Sequence, residues 1–363
     1  MAKDIKMYLN NLYLNKTNNF DFIRFILASL VLYSHSYILY YGQNSLELKN
    51  EFIHYITNGL IDGGAIAVNL FFVVSGFLIT ISWFNTKSHI HFIIKRLLRI
   101  LPGFIALMAI TIFIIVPLLT SDLELYINHI SIGNIIKDFV KLTISPISVM
   151  NIFEELPKNT VNGSLWTLKY ELYCYMMILI LGVLRILNKK VVTLIFIIFL
   201  SIYLLQINDI ISFNRGIPIP RLFTYFLVGI LIYFYKDKIK FDNKTLLGLL
   251  AISIVLSFTP LKILILIFFV PYILFYFIYS NTFKFYAFGK YGDFSYGIYI
   301  YAFFIQQCVL YIFRDMNFYS YMIISYIVTL IFAILSWHLI EKTSLKLSHN
   351  KKLKQYLNRK QDK

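Results

Sequence analysis

Arg24 and His35 stand 11 residues apart in the apolar run FIRFILASLVLYSHS. On a helix this is about 16.5 Å of rise and about 1100° of turn, roughly 20° from a common face. An ionisable side chain in a lipid-embedded helix costs about 2.5–3.5 kcal/mol, so its presence there points to a role. Neutral imidazole, with an ordinary pKa of about 6.5, is suited to taking a proton from a hydroxyl as it attacks. Arg24 has a plainer reading, a side chain that snorkels to the inner interface. A lone histidine is often a packing residue, but the shared polar stripe favours a functional His35.

Four further stretches carry polar groups where an apolar run would not need them. In NLFFVVSGFLITIS, Ser75 and Gly76 interrupt bulky residues and Ser82 follows two turns later on the same face. Small residues admit either a second helix or an extended ligand to the backbone. Arg96 and Arg99 in KRLLRILP share a helical face and would clamp a phosphate, although a topology signal alone explains their charge. NGSLWTLKYELYCY presents Trp166, Lys169 and Glu171, the last needing a partner such as Lys169, Arg221 or a ligand hydroxyl. FSYGIYIYAFFIQQ offers Ser295, Tyr296, Tyr299, Gln306 and Gln307. No glycine-rich phosphate loop or nucleophile elbow is present, and no metal site is expected.

The elements that must hold these groups are membrane spans. Of the 363 residues, 59% are hydrophobic and 14% charged, against about a quarter charged in soluble domains. Apolar runs fall at 22–40, 64–84, 100–119, 166–184, 191–207, 218–235, 245–258, 263–280, 294–313 and 319–340, each near the roughly 20 residues that cross a bilayer. The runs at 245–258 and 263–280 are close enough to form one re-entrant element instead. The favoured reading is an all-α integral membrane protein of about ten helices with both termini cytoplasmic. Segments 1–21, 85–99, 185–190, 236–244, 281–293 and 341–363 hold 24 of the 34 Lys and Arg, as the positive-inside rule asks of cytoplasmic loops. Ten of the 18 acidic residues lie in the alternate loops. The net charge of +16 is therefore topology, and nucleic acid is not an expected partner. Residues 1–341 read as one membrane domain with an external loop at 120–165, and 342–363 as a basic tail against anionic lipid. Lys3 and Lys6 precede an uncleaved first span. Cys174 and Cys308 lie in apolar runs, so neither disulfides nor zinc are expected.

Taken in order, these motifs resemble the acyltransferase-3 family of bacterial polytopic membrane acyltransferases, which includes O-acetyltransferases of lipopolysaccharide O-antigen and capsule. Arg24 and His35 match its R-x10-H signature, and Phe71, Phe72, Ser75, Gly76, Phe77 and Ser82 match FFxxSGF with its following serine. Arg96 and Arg99 match the RxxR pair, Trp166, Leu168 and Glu171 the W-x-L-x-x-E element, and Ser295, Tyr296 and Tyr299 the SYxxY segment. Three positions depart from the pattern: Ala302 where many relatives carry histidine, Asn69 where an acidic residue is frequent, and Thr343 where proline is common.

The resemblance implies transfer of an acyl group, most often acetyl, from acyl-CoA to a hydroxyl of a surface polysaccharide or its lipid-linked precursor, in the bacterial cytoplasmic (inner) membrane. Acetyl-CoA would be a donor substrate, with no cofactor permanently bound. His35 is the candidate base, with Arg24 and Glu171 beside it in the catalytic set. Arg96 and Arg99 would hold the donor's phosphates, and its pantetheine arm would lie along Ser75, Gly76 and Ser82. Trp166, Tyr296 and Tyr299 would dock the acceptor, with Trp166, Glu171 and Tyr296 at the outer face. The competing reading is a flippase that moves a lipid-linked saccharide without covalent chemistry, which buried Arg, His and Glu would also serve.

Overall fold

A computed structural model of the chain describes residues 7–9, 18–86, 88–208, 210, 218–280 and 283–348. Helix dominates, because backbone groups in lipid must be satisfied within the segment. The described residues add one two-residue antiparallel pair, Met7–Tyr8 with Lys240–Phe241. Among the described residues, ten principal helices fall on the ten apolar runs: α1 (Phe20–Tyr41), α2 (Gly63–Phe84), α3 (His89–Leu119), α4 (Leu168–Val183), α5 (Lys189–Ile207), α6 (Ile219–Phe234), α7 (Asn243–Ser257), α8 (Ile265–Ile278), α9 (Ser295–Ile312) and α10 (Phe318–Leu347). Six of them, α1, α2, α3, α5, α9 and α10, are long and apolar enough to cross a membrane. The others are shorter; α6 has 16 residues and α7 has 15, about 24 Å of helix or less against a core of roughly 30 Å. The runs at 245–258 and 263–280 form separate helices, with Thr259 capping the turn between them through its hydroxyl on the Leu261 amide. Lys3, Lys6 and tail residues 349–363 lie outside the described residues.

Side-chain caps start several helices. Asp62 accepts the Ala65 amide at 2.7 Å before α2, Asp242 the Thr245 amide at 2.7 Å before α7, and Asn317 the Ser320 amide at 3.0 Å before α10. Each satisfies a first-turn donor that the helix itself leaves over. Wide π-type turns interrupt α3 at Thr111–Ile115, α8 at Ile265–Phe269 and α10 at Trp337–Glu341. The first two precede Pro117 and Pro271, whose rings lack an N–H and crowd the carbonyl four residues back. The third has no proline and carries the buried Glu341.

The chain divides into two compact units, residues 1–24, 68–86 and 173–291, and residues 25–67, 87–172 and 292–363. The first is held by an aromatic cluster in which the Phe77 ring lies 4.9 Å from Phe275 and 6.0 Å from Phe20. Asn19 ties the start of α1 to the loop after α8, donating to the Phe277 and Phe283 carbonyls and accepting the Phe285 amide. The second unit is built around α9, 89% of whose span is buried. Gly297 lets α9 approach α10 so closely that a Cβ there would stand 2.8 Å from the Ala333 Cα. Gln306 of α9, fully buried, donates to the Leu32 carbonyl and Ser36 hydroxyl of α1.

The 120–165 loop is ordered. It contains helices Leu123–His129 and Ile132–Lys141. Buried Asp138 accepts the Ser145 amide at 2.8 Å and the Ser148 hydroxyl at 2.7 Å, closing the turn after the second helix.

Candidate active site

In the second unit, residues 158–167 run as a strap along α9. Gln307 donates to the Lys158 and Thr160 carbonyls at 2.5 and 2.7 Å, and Asn162 donates to the Ile300 carbonyl at 2.7 Å. The Thr167 and Tyr299 hydroxyls are 2.6 Å apart. Gly163 lies between these ties on the Phe303 ring, where a Cβ would meet Cε2 at 2.4 Å; no larger residue fits without displacing the ring. The strap thus pins the turn that leads into α4 and fixes Trp166 at its end.

His35 stands against the same helix. Its ring meets Phe303 edge to face at 5.2 Å between centroids, so Phe303 touches both His35 and Gly163. The imidazole is partly buried, and its Nδ1 is sealed from solvent without a hydrogen bond among the described residues. Asp62 lies within electrostatic reach of the ring, and its Oδ1 accepts from the neighbouring Ser34 hydroxyl at 3.4 Å. A ring steered by packing, with a sealed nitrogen and a carboxylate nearby, suits a base that takes up and returns a proton.

Glu171, one turn into α4, is partly buried and close enough to act electrostatically on the hydroxyls of Tyr296 and Tyr299. Trp166 is 37% exposed, its ring 5.8 Å from Tyr170. A half-exposed indole can stack on an apolar ring face, and a carboxylate five residues on can accept hydroxyl protons.

Arg99 has protein partners that its sequence position hides. Its Nη2 is 2.7 Å from Asp293 Oδ2 and its Nη1 3.9 Å from Glu341 Oε2. The carboxylates are buttressed in turn: the Ser295 hydroxyl donates to Asp293 at 2.5 Å and Ser336 to Glu341 at 2.9 Å. Gly292, at φ +145°, brings the chain onto the Trp337 ring and sets up this corner. Arg96, one turn earlier, lies with its guanidinium carbon 5.8 Å over the Phe92 ring.

Tyr296 corrects one expectation. It was placed at the outer face with Trp166, yet its hydroxyl donates to the Ile100 carbonyl at 2.6 Å and its ring lies under the Arg99 guanidinium at 5.6 Å. Tyr296 therefore belongs to the Arg99 end of α9; Tyr299, one turn on, is the tyrosine joined to the strap.

Gly76 is the second correction. Its backbone meets α6 so closely that a Cβ would be 2.0 Å from the Phe226 carbonyl oxygen, and a Cβ on Gly229 would be 2.0 Å from that of Val73. Of the two occupants that a small residue admits, a helix fills this place, leaving no surface for a pantetheine arm at Gly76 itself. Ser75 and Ser82 remain partly buried on α2. Arg24 lies in the first unit and His35 in the second, on one continuous helix.

Sequence reasoning overlooked Asp62, Asp293, Glu341 and the strap residues Asn162 and Gly163. Asp62 directly before Gly63-Gly64 carries a helix-start signal, and Asp293 precedes the SYxxY segment directly; both were legible as local features, though not as partners of His35 or Arg99.

The acyltransferase domain model of the acyltransferase-3 family matches residues 17–338. The chain belongs to the acyltransferase-3 family. An O-acetyl transferase of Shigella phage Sf6 is 32% identical over 93% of this chain and 99% of its own length. Nodulation protein 10 of Rhizobium leguminosarum bv. viciae is 28% identical over 44% of this chain and 42% of its own. No solved structure matches. This acyltransferase-3 member is a membrane-embedded enzyme, an O-acetyltransferase, and the transporter reading falls away.

Proposed function

We propose that this acyltransferase-3 enzyme moves acetyl from acetyl-CoA to a hydroxyl of a surface polysaccharide or its lipid-linked precursor, with His35 as general base. It works in the bacterial cytoplasmic membrane as a ten-span protein with both termini cytoplasmic. The observation that supports the reading is the seat of His35: a partly buried imidazole packed on Phe303, the ring that Gly163 of the strap bearing Trp166 also meets.

The acceptor hydroxyl attacks the thioester carbonyl while His35 takes its proton; the tetrahedral adduct collapses, the C–S bond breaks, and the CoA thiolate leaves and is reprotonated. Trp166, Glu171 and Tyr299 hold the sugar. Arg24, about 16.5 Å of helix from His35, is on the donor side, as are Ser75 and Ser82. Arg96 and Arg99 divide their work. The guanidinium of Arg99 is shared between two carboxylates, which repel an approaching phosphate, so Arg99 anchors the corner and Arg96 makes the phosphate contact.

The test is to incubate membranes containing the protein with acetyl-labelled acetyl-CoA and the host's surface glycan, beside His35→Ala. Base-labile label in the glycan that is lost in an inserted His35→Ala protein is expected. Near-normal labelling by the variant would remove His35 from the reaction.

A further inference from the structure

The first unit holds a cavity of about 240 Å³ that the acetyl-transfer chemistry does not use. Its walls are the C-terminal half of α6 (Val228, Leu231, Ile232), the wide turn of α8 and the residues after it (Phe268, Pro271) and the segment 239–241 between helices. The cavity is apolar, and its size suits a narrow chain better than a compact drug-sized ligand.

One side of this cavity is basic. Tyr235, a lining residue, carries the Lys189 ammonium 3.8 Å over its ring centroid. Tyr272, also lining, donates its hydroxyl to the Lys240 carbonyl at 2.8 Å, and Lys240 is flanked by the lining residues Ile239 and Phe241. Lys236 lies 4.0 Å over the Tyr233 ring. With Lys238 and Lys244, and against Asp237 and Asp242, this edge has a clear positive excess. It falls in segments that the Lys/Arg distribution assigns to the cytoplasmic side.

An apolar slot with one ammonium over its lining Tyr235 and a lysine-rich segment running through its wall has the chemistry of a lipid site: an acyl chain for the slot and an anionic headgroup for the lysines. We propose that this cavity binds one acyl chain of an anionic phospholipid, whose phosphate rests on Lys189 and the Lys236–Lys240 edge. The site belongs to the first unit alone and is separate from the His35 chemistry.

The test uses the purified full chain in detergent, following its melting temperature during separate titrations with phosphatidylglycerol, phosphatidylcholine and inorganic phosphate. Wild type should be half-saturated by phosphatidylglycerol at a concentration on the order of tenfold below that for phosphatidylcholine, and show no shift with phosphate. Ile232→Trp, which fills the slot, should lose the phosphatidylglycerol shift, as should the milder Leu231→Phe if the larger side chain lowers the lipid-free melting point. Lys189→Gln with Lys240→Gln should keep a lipid shift and lose the preference for the anionic headgroup. Equal response to both lipids in wild type would overturn the proposal. So would a preference that survives slot filling, or a shift with phosphate alone, which would assign the lysines to a free anion and leave the cavity without a part.

Discussion

Replacing Gly76 with alanine tests whether its small surface faces a helix or a ligand. An alanine Cβ at 76 would stand 2.0 Å from the Phe226 oxygen and 3.3 Å from the Gly229 Cα, where carbon contacts relax to about 3.5–4.0 Å. The obstacle is backbone, so no rotamer change removes it, and α2 and α6 must separate locally by about 1.5 Å to restore ordinary contact. Overpacking of this kind costs about 3 kcal/mol, the upper end of the usual range, offset by about 1 kcal/mol from the better helix propensity of alanine. The net is about 2 kcal/mol of destabilisation, a fall in melting temperature on the order of 4 °C in detergent. Gly248 in α7 has nothing within 4 Å of its would-be Cβ, so Gly248→Ala should raise the melting temperature through propensity alone. Gly76→Ala with Gly229→Ala should cost less than the two singles added, because one separation relieves both clashes. If Gly76→Ala melts as high as Gly248→Ala while the KM for acetyl-CoA rises, the contact is not there and the glycine serves the donor.

Two other predictions concern charges. Glu51 is 2% exposed, in the segment between α1 and α2; burial holds its carboxyl above the ordinary range, and the nearby Asp62 adds to this. Its protonated form is favoured by folding, so its contribution is complete below the unfolded pKa and is lost as pH rises through the raised one. Glu51→Gln, which keeps an acceptor for the His54 amide, should raise the melting temperature near about pH 8 and not near about pH 4; the same gain at both would refute the burial argument. Arg99→Gln strands Asp293 and Glu341 and should cost about 2 kcal/mol after screening at side chains that keep 16% and 14% exposure. Asp293→Asn should partly rescue it, whereas Arg96→Gln should lower the melting temperature less than Arg99→Gln does and raise the KM for acetyl-CoA. Similar thermal behaviour of the two arginine variants would sink the division of labour.

The helices were legible because lipid leaves the backbone few choices: eight of the ten apolar runs became helices within about two residues of their expected limits, whereas α3 begins at His89, 11 residues before the expected 100, and α10 runs on to Leu347, past the expected 340, because a helix continues through polar flanks that hydropathy alone excludes. The partners were harder to read. Arg99, Asp293 and Glu341 meet across separations of 194 residues and more, and periodicity on one helix carries no information about which residue of another it faces. For Gly76, sequence gave a small surface and two occupants, and only the approach of Gly229 selects between them. Tyr296 was readable and misread. The Lys/Arg distribution already grouped 281–293 with 85–99, which agrees with the start of α9 lying near Arg99. The strap escaped notice because Asn162 and Gly163 look like ordinary turn residues until α9 supplies the carbonyl and the ring they meet.

Within the second unit, the Arg99 corner and His35 hold their buried polar groups differently. At the Arg99 corner the charges are answered within the protein: carboxylates meet guanidinium, hydroxyls meet carboxylates, and Tyr296 meets a backbone carbonyl. Such a network holds α3, α9 and α10 in register, and its groups are committed before any substrate arrives. His35 is held differently, by the edge of Phe303, with its sealed Nδ1 making no hydrogen bond among the described residues. A buried polar atom without a partner is costly, and a catalytic role is one of the reasons such a cost is retained. The structure separates two motif residues that sequence placed on one footing: Gly76 is filled by α6 and holds helices together, whereas the His35 Nδ1 is buried without a hydrogen bond among the described residues.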